Sequence, residues 1–354
     1  MQTMSFLKTA SFLLFSIRML TIRRCYSFSK KPKQSLSLIS KVISKPDLSK
    51  VNGEDAHFTS PLDIGCFDGV GAWRSMGIDA GLFSSKLSEF VFDYISGARN
   101  NKDSEINLID SLNFAMNKVK SQEIKGSSTA CLASLNPASN VITIANIGDS
   151  GALILRPRLA LSLKQNFDIL FQSPPMCHRF NTPFQLGYFR EIDPKNSSID
   201  IEHEFDQPSE AACTYHAVQE DDIILLATDG LFDNLHLHEI TDCIVSKLNK
   251  ASLSINYANQ DNLCRAISNR RQAVEELLTD AVTELGALAF EKSLEQDRVS
   301  PFTLSAIQER QRQLRLTGLG SLVDTGADVY QDELGGKPDD ITIILSVVGP
   351  SPVL

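Results

Sequence analysis

Apolar residues recur along this chain with two periods. Leu62–Phe67 is a short apolar run that ends at Asp68–Gly69, the pattern of a strand entering a tight turn. Leu82, Phe83, Leu87, Phe90, Val91, Tyr94 and Ile95 follow a 3.6-residue period, as do Ile106, Ile109, Leu112, Met116 and Val119, and each set predicts an amphipathic helix. Strand-like runs follow at Ala130–Leu135, Val141–Ile147 and Ala152–Leu155, with a turn at Asn136–Pro137 and a hairpin at Gly148–Gly151. Residues 156–216 are irregular and turn-rich, the composition of a surface flap. Ile223–Thr228 is a continuous apolar strand that ends at Asp229–Gly230. Helical spacing returns at Leu237, Ile240, Ile244 and Leu248, and again from Val274 to Ala289. Residues 303–334 are polar and irregular or weakly helical, as in an insertion, and Ile341–Val348 is the last strand. No regular β-α-β alternation runs through this order, which predicts antiparallel sheets with the helices segregated outside them, an α+β fold.

Length and composition narrow the picture. A chain of 354 residues with 42% hydrophobic and 22% charged residues buries a sizeable core and suits one large domain with insertions. No apolar run approaches the length of a membrane span. Seven scattered cysteines without a C-x-x-C pair form neither a disulfide framework nor a zinc site, and read as small buried hydrophobes in a reducing compartment.

Charge is unevenly spread. Residues 1–46 hold nine Lys and Arg and no acid, leaving the remainder with 25 basic and 43 acidic residues, a net charge of −18. An acidic body excludes a phosphate-neutralising nucleic-acid binder and suits a protein that collects cations. The first 34 residues combine Ser, Thr, Lys and Arg with Phe6, Leu7, Leu13, Leu14, Ile17, Leu20 and Ile22 at roughly helical spacing, the composition of a mitochondrial transit peptide. A chloroplast address has a similar composition and is the alternative. Residues 35–50 then read as a linker, and 51–349 as the folded domain.

Acids stand at strand ends: Asp68 in CFDGVG, Asp149 in NIGDSG, Asp229 in ATDGLFD and Asp339–Asp340 in GGKPDDIT, with Glu54–Asp55 just before the first strand. Asp-Gly alone is a turn signal. The set says more, because an acid at a strand end projects from a rigid element, and converging carboxylates repel unless cations sit between them. Oxygen-only ligation selects hard ions such as Mg²⁺ or Mn²⁺.

Six segments in order, GEDAH at 53–57, FDGVGAW at 67–73, GSSTA at 126–130, NIGDSG at 146–151, ATDGLFDN at 227–234 and GKPDDIT at 336–342, resemble the PPM-type (type 2C) metal-dependent serine/threonine protein phosphatases. The resemblance covers roughly residues 51–349. FNTPFQL at 180–186 and the DGVGAWR form are similar to the mitochondrial branch associated with coenzyme Q biosynthesis and mitochondrial homeostasis. The resemblance implies a β-sandwich of two antiparallel sheets flanked by helices, and a two-metal centre. By the same resemblance, Asp68 bridges both metals. The Gly69 carbonyl and Glu54 hold one, Asp229 and Asp339 hold the other, and Asp149 and Asp233 lie at a weaker third site. Asp55 stands behind the ligands, and Asp340 is the alternative to Asp339. The implied catalytic acids are Asp68, Asp229 and Asp339, and the implied substrates are phosphorylated mitochondrial proteins. Many relatives carry Arg where this chain has Lys50, which offers a point charge in place of a bidentate fork. Arg74 is a second candidate for holding phosphate.

Two other readings compete. GDSG at 148–151 resembles the nucleophile segment of trypsin-like proteases, with Ser150 as nucleophile and His57 as base. The long helices do not suit a protease of two β-barrels. A catalytically silent scaffold of the same fold is the other alternative, against which stand Glu54, Asp68, Asp229 and Asp339. No cysteine is followed by Arg at the spacing a cysteine phosphatase needs, and His236 and His238 read as exposed polar residues.

Overall fold

Apolar residues alternate between two faces along nearly every central strand, and that alternation builds a four-layer molecule. The computed structural model describes residues 35–50, 52–101, 105–158, 167–192, 200–248, 263–316 and 334–351; the expected leader 1–34 lies outside them. Ten strands form the two main sheets: β1 (Leu36–Lys45), β2 (Asp55–Thr59), β3 (Asp63–Asp68), β4 (Ala130–Asn136), β5 (Val141–Ile147), β6 (Gly151–Pro157), β7 (Phe167–Gln172), β8 (Ala212–Ala217), β9 (Ile223–Ala227) and β10 (Ile341–Pro350). One sheet has the order β1-β10-β9-β6-β7 and the other β8-β5-β4-β3-β2, and all neighbours in both are antiparallel.

Strand β9 shows why its sequence reads as a continuous apolar run. Ile224 and Leu226 face the other sheet, in a cluster with Ile64, Cys66, Cys131, Ala133, Ile144, Ile154 and Ile344. Ile223, Leu225 and Ala227 point the other way, against Ile240, Ile244, Val274, Leu278 and Leu285. Those residues belong to helices α3 (Leu237–Leu248) and α4 (Leu263–Ser293), here named after α1 (Ala80–Asn100) and α2 (Leu108–Ser121). With both faces covered, no position on β9 is left for a polar residue. Helices α1 and α2 cover the second sheet, packing Phe83, Leu87, Val91, Leu112 and Val119 on Phe67, Leu132 and Ala145. Asp79 caps α1 by accepting from Leu82 N at 3.1 Å, and Asn107 caps α2 through the N–H groups of Ile109 and Asp110. The sandwich of two antiparallel sheets flanked by helices is therefore as expected. Among the described residues no helix is long and apolar enough to cross a membrane.

Three boundaries need correction. The expected linker 35–50 contains β1, which pairs with β10 over ten residues from Leu36↔Pro350 to Lys45↔Ile341. Its serines, which read as linker polarity, form cross-strand hydroxyl pairs: Ser40 Oγ with Ser346 Oγ at 2.8 Å, and Ser44 Oγ with Thr342 Oγ1 at 2.9 Å. The expected flap 156–216 contains β7 and nearly all of β8, one outer strand of each main sheet. Edge strands keep one side in solvent, so neither carries the apolar run that marks a central strand. The expected insertion 303–334 begins as a regular helix, α5 (Pro301–Leu316); residues 317–333 lie outside the described ones. Helix α5 is tied to the framework: Ser300 Oγ and Thr303 Oγ1 both donate to the Gly335 carbonyl, at 2.7 and 3.0 Å. Of the cysteines, Cys66, Cys131 and Cys243 are buried as expected, whereas Cys177 is exposed.

Candidate functional site

Strand ends from both sheets meet at one end of the sandwich, and the acids noted in the sequence meet with them. Asp68 is the last residue of β3 and lies across from Asp55 of β2 in the ladder register. Asp149 sits in the turn between β5 and β6, Asp229 opens a helical turn (Asp229–Phe232) directly after β9, and Asp339–Asp340 immediately precede β10. Asp68, Asp149 and Asp229 each offer a carboxylate oxygen within 4.8 Å of the other two.

Two glycines make this convergence possible. A Cβ on Gly69 would stand 2.5 Å from the Glu54 carbonyl oxygen and 2.7 Å from that of Ala80. A Cβ on Gly230 would stand 2.0 Å from the Asp340 carbonyl oxygen. Glycine after each acid thus lets the next backbone come into contact, and the Asp-Gly pairs read as turns are contact points between motifs.

Supporting hydrogen bonds are dense. Asp340 is buried and its carboxylate is committed: it accepts from Glu54 N at 2.6 Å and Asp47 N at 2.7 Å, and pairs with Lys50 Nζ at 2.9 Å. Asp339, one residue earlier, accepts from the Asp340 N–H at 2.9 Å and lies 3.3 Å from Lys50 Nζ. The two neighbours therefore differ in role, one tying the Glu54 backbone in place and the other facing the acidic cluster. Thr228 Oγ1 donates to Asp55 Oδ2 at 2.9 Å and accepts from Thr342 N at 3.0 Å. Thr129 N donates to the Asp68 carbonyl at 2.9 Å. Glu54 is held by Lys50 at 2.7 Å and by Arg74 at 2.8 Å. The Arg74 side chain is half exposed at the rim, whereas that of Lys50 is largely covered.

Burial and mutual repulsion push the protonation of these acids upward. Burial first, and then the charges of Asp229, Asp55, Asp339 and Asp149, hold the Asp68 carboxyl well above the usual carboxylate range. Asp149 is pushed to about 7 by burial and by Asp229, against the opposing pull of Lys337. Asp233 reaches about 6 for the same reasons, and Asp339 is raised by burial and Asp229. Burial also raises Asp55, aided by the charges of Asp340 and Asp229 and opposed by the nearby Thr342 and Thr228 hydroxyls, of which Thr228 donates to it.

These residues fit a divalent cation. The donor set is oxygen only, and the buried Oδ1 atoms of Asp55, Asp149 and Asp229 accept no hydrogen bond among the described residues. Buried acceptors without a donor are costly unless a cation satisfies them.

Sequence reasoning missed several members of the site. Lys337 pairs with Asp229 and with Asp233 (2.7 Å) and lies 3.7 Å from Asp339. Asn234 and the threonines 129, 228 and 342 brace the acids. All lie inside the ordered motifs, but a Thr, Asn or Lys there carries no chemical signal until its partner is known. Ser150 is not a nucleophile: it is fully buried and its Oγ shares a 2.7 Å hydrogen bond with Thr129 Oγ1, while His57 is exposed on β2. The acid–base relay of the protease reading is absent among the described residues. His236 and His238 stack on each other, ring centroids 5.6 Å apart, and His236 Nε2 lies 2.9 Å from the Val299 carbonyl, a structural contact.

No family model matches the chain. It is 34% identical over 299 residues to a protein phosphatase PTC7 homolog, fig, of Drosophila virilis, spanning 83% of this chain and 77% of that one. It is 34% identical over 307 residues to the protein of the same description from Drosophila grimshawi, spanning 84% and 79%. Among solved structures it is similar in fold to the photosystem II phosphatase PBCP, with 22% identity, a TM-score of 0.61, and coverage of 89% of this chain and 100% of that one. With the six ordered motifs and the acidic cluster at the sandwich end, these likenesses establish that the chain belongs to the PTC7 group of the PPM-type serine/threonine protein phosphatases.

Proposed function

We propose that the chain hydrolyses phosphoserine and phosphothreonine esters in proteins, using Mg²⁺ or Mn²⁺ held at the end of the sandwich. The convergence of Asp68, Asp149 and Asp229, with two buried oxygens that accept no hydrogen bond, carries this reading. Two cations would be held, with Asp68 shared, Glu54 and the Gly69 carbonyl on one side, and Asp229 and Asp339 on the other. Asp149 and Asp233 would take a weaker third. Bound there, the cations supply Lewis acidity that activates water as the nucleophile and neutralises charge on the phosphate.

The chain's own residues do the rest. Asp340 fixes the Glu54 backbone, and Asp339, whose Oδ2 lies 3.7 Å from Lys337 beside Asp229, is the member of the pair that would ligate. Asp55, Thr228 and Thr342 lock the strand ends from which the ligands project. Arg74, half exposed, is the group best placed to leave Glu54 and hold a substrate phosphate at the rim, with Lys50 adding a fixed positive charge behind it. Arg74 offers the planar fork that Lys50 lacks.

The basic, acid-free leader supports action inside mitochondria on phosphorylated mitochondrial proteins, with a role in coenzyme Q biosynthesis and mitochondrial homeostasis. The deciding assay is release of phosphate from a phosphothreonine peptide by the purified chain. Turnover with Mn²⁺ and none in EDTA is expected; undiminished turnover in EDTA would sink the metal-dependent reading. Residues 1–34 fused to a fluorescent reporter should carry it to mitochondria, and a cytosolic or plastid signal would refute the address.

A further inference from the structure

The acidic cluster already contains a cation of the chain's own. Lys337 places its ammonium against Asp229 and Asp233, with Asp339 at 3.7 Å, and its side chain is only 18% exposed. Three acids that would take part in metal binding therefore share one lysine.

This lysine is not a flexible surface arm that has folded inward. The buried Asn234 clamps its backbone from both sides: Asn234 Nδ2 donates to the Lys337 carbonyl at 2.8 Å, and Lys337 N donates to Asn234 Oδ1 at 2.8 Å. The same Nδ2 also donates to the Gly230 carbonyl at 3.0 Å, so the lysine is registered to the turn that carries Asp229. Pro338 follows and narrows the backbone freedom of Lys337. The Phe302 ring of α5 lies 5.3 Å from the ammonium, and Phe302 N donates to the Asp233 carbonyl at 3.1 Å. Phe180 packs on Phe302 with ring centroids 5.1 Å apart. Backbone clamp, aromatic wall and three carboxylates together make a built cation site occupied by a side chain.

Resting on the proposed metal-dependent activity, we propose that Lys337 is a tethered counter-ion that neutralises Asp229, Asp233 and Asp339 in the metal-free protein and competes with divalent cations for them. The ammonium lies on the Oδ2 atoms of Asp229 and Asp233, beside the Asp229 Oδ1 that accepts no hydrogen bond among the described residues, so a divalent ion taken up on that free oxygen would be repelled by it across one carboxylate, and metal uptake should move the ammonium outward. The lysine thus keeps a repulsive cluster folded before metal arrives and weakens metal affinity.

Two measurements on the full chain test this without reference to turnover. In calorimetric titration with Mn²⁺, Lys337→Met should bind about tenfold more tightly than wild type, within the usual range of such coupling, and Lys337→Arg should keep the wild-type affinity. The second needs no variant. Reductive methylation of wild-type protein, read by mass spectrometry at Lys337, should rise several-fold when Mn²⁺ is added, because the displaced amine becomes accessible. If wild type binds Mn²⁺ but Lys337→Met binds it equally or less tightly, or if Mn²⁺ leaves Lys337 labelling unchanged or lower, the counter-ion role is overturned and the phosphatase reading stands. A wild-type chain that takes up no Mn²⁺ overturns both.

Discussion

Asp68→Asn will leave a folded protein whose phosphatase turnover has fallen by about a thousandfold or more, the scale of losing a preorganised electrostatic element at a reacting centre. The substitution keeps the shape of the side chain but removes the charge shared by both proposed metals. Its effect on the metal-free protein has the opposite sign. An acid whose folded-state pKa is raised above its unfolded value stabilises the fold while protonated, and that contribution is lost as pH climbs above about 4, where the unfolded chain ionises. At neutral pH the Asp68 carboxyl therefore opposes folding, through burial and through Asp229, Asp55, Asp339 and Asp149. Asn carries no such penalty. In EDTA at pH 7.5 the variant should melt higher than wild type, and saturating Mn²⁺ should raise its Tm less than that of wild type. Retained turnover with Mn²⁺, or a lower Tm in EDTA, would contradict the assignment of Asp68 to the centre of the acidic cluster.

A chain that starts at Ser35 will fold, whereas one that starts at Pro46 will be insoluble or unfolded. Strand β1 buries Leu36, Leu38 and Ile39 to 5% exposure or less. Burying three such side chains contributes about 5–9 kcal/mol, comparable with the whole net stability of a typical domain. Removing β1 also strips the ladder from β10, all ten residues of which are buried. A fully apolar strand with unpaired N–H and C=O groups is a template for aggregation. Circular dichroism melts of the two truncations, with sedimentation as the solubility readout, decide the matter. A soluble, cooperatively melting product from Pro46 would show that 35–50 is a linker after all. Any natural processing of the leader must on this account stop short of Leu36.

How much of the site was legible follows from how its residues are recruited. Asp68, Asp149 and Asp229 each stand where an apolar run stops, and acids at strand ends beside Gly (Asp68–Gly69, Gly148–Asp149 and Asp229–Gly230) are visible in one dimension. Lys337 lies only two residues before Asp339, yet nothing in GGKPDD indicates that its ammonium meets Asp229 and Asp233 more than a hundred residues away. The sequence leaves the choice between Asp339 and Asp340 open for a related reason. The two are chemically identical, and what separates them is that the N–H groups of Asp47 and Glu54 reach only the second. Ser150 read as a candidate nucleophile because GDSG is a local pattern, while its burial against Thr129 is not.

Local order in the chain thus determined the class of fold, the central strands, the long helices and the acids at the strand ends. Each of these is carried by a period or a turn within a dozen residues, and that scale is where side-chain alternation and Asp-Gly turns operate. Tertiary structure alone decided that Leu36–Lys45 is a strand, that β7 and β8 each form one edge of a main sheet, and that Lys337 faces the acids. Those outcomes depend on partners up to 314 residues apart, as in Leu36 with Pro350. Edge strands and braces take their polarity from what they pair with, so serines that signal a linker in isolation become cross-strand hydroxyl pairs once β10 is beside them.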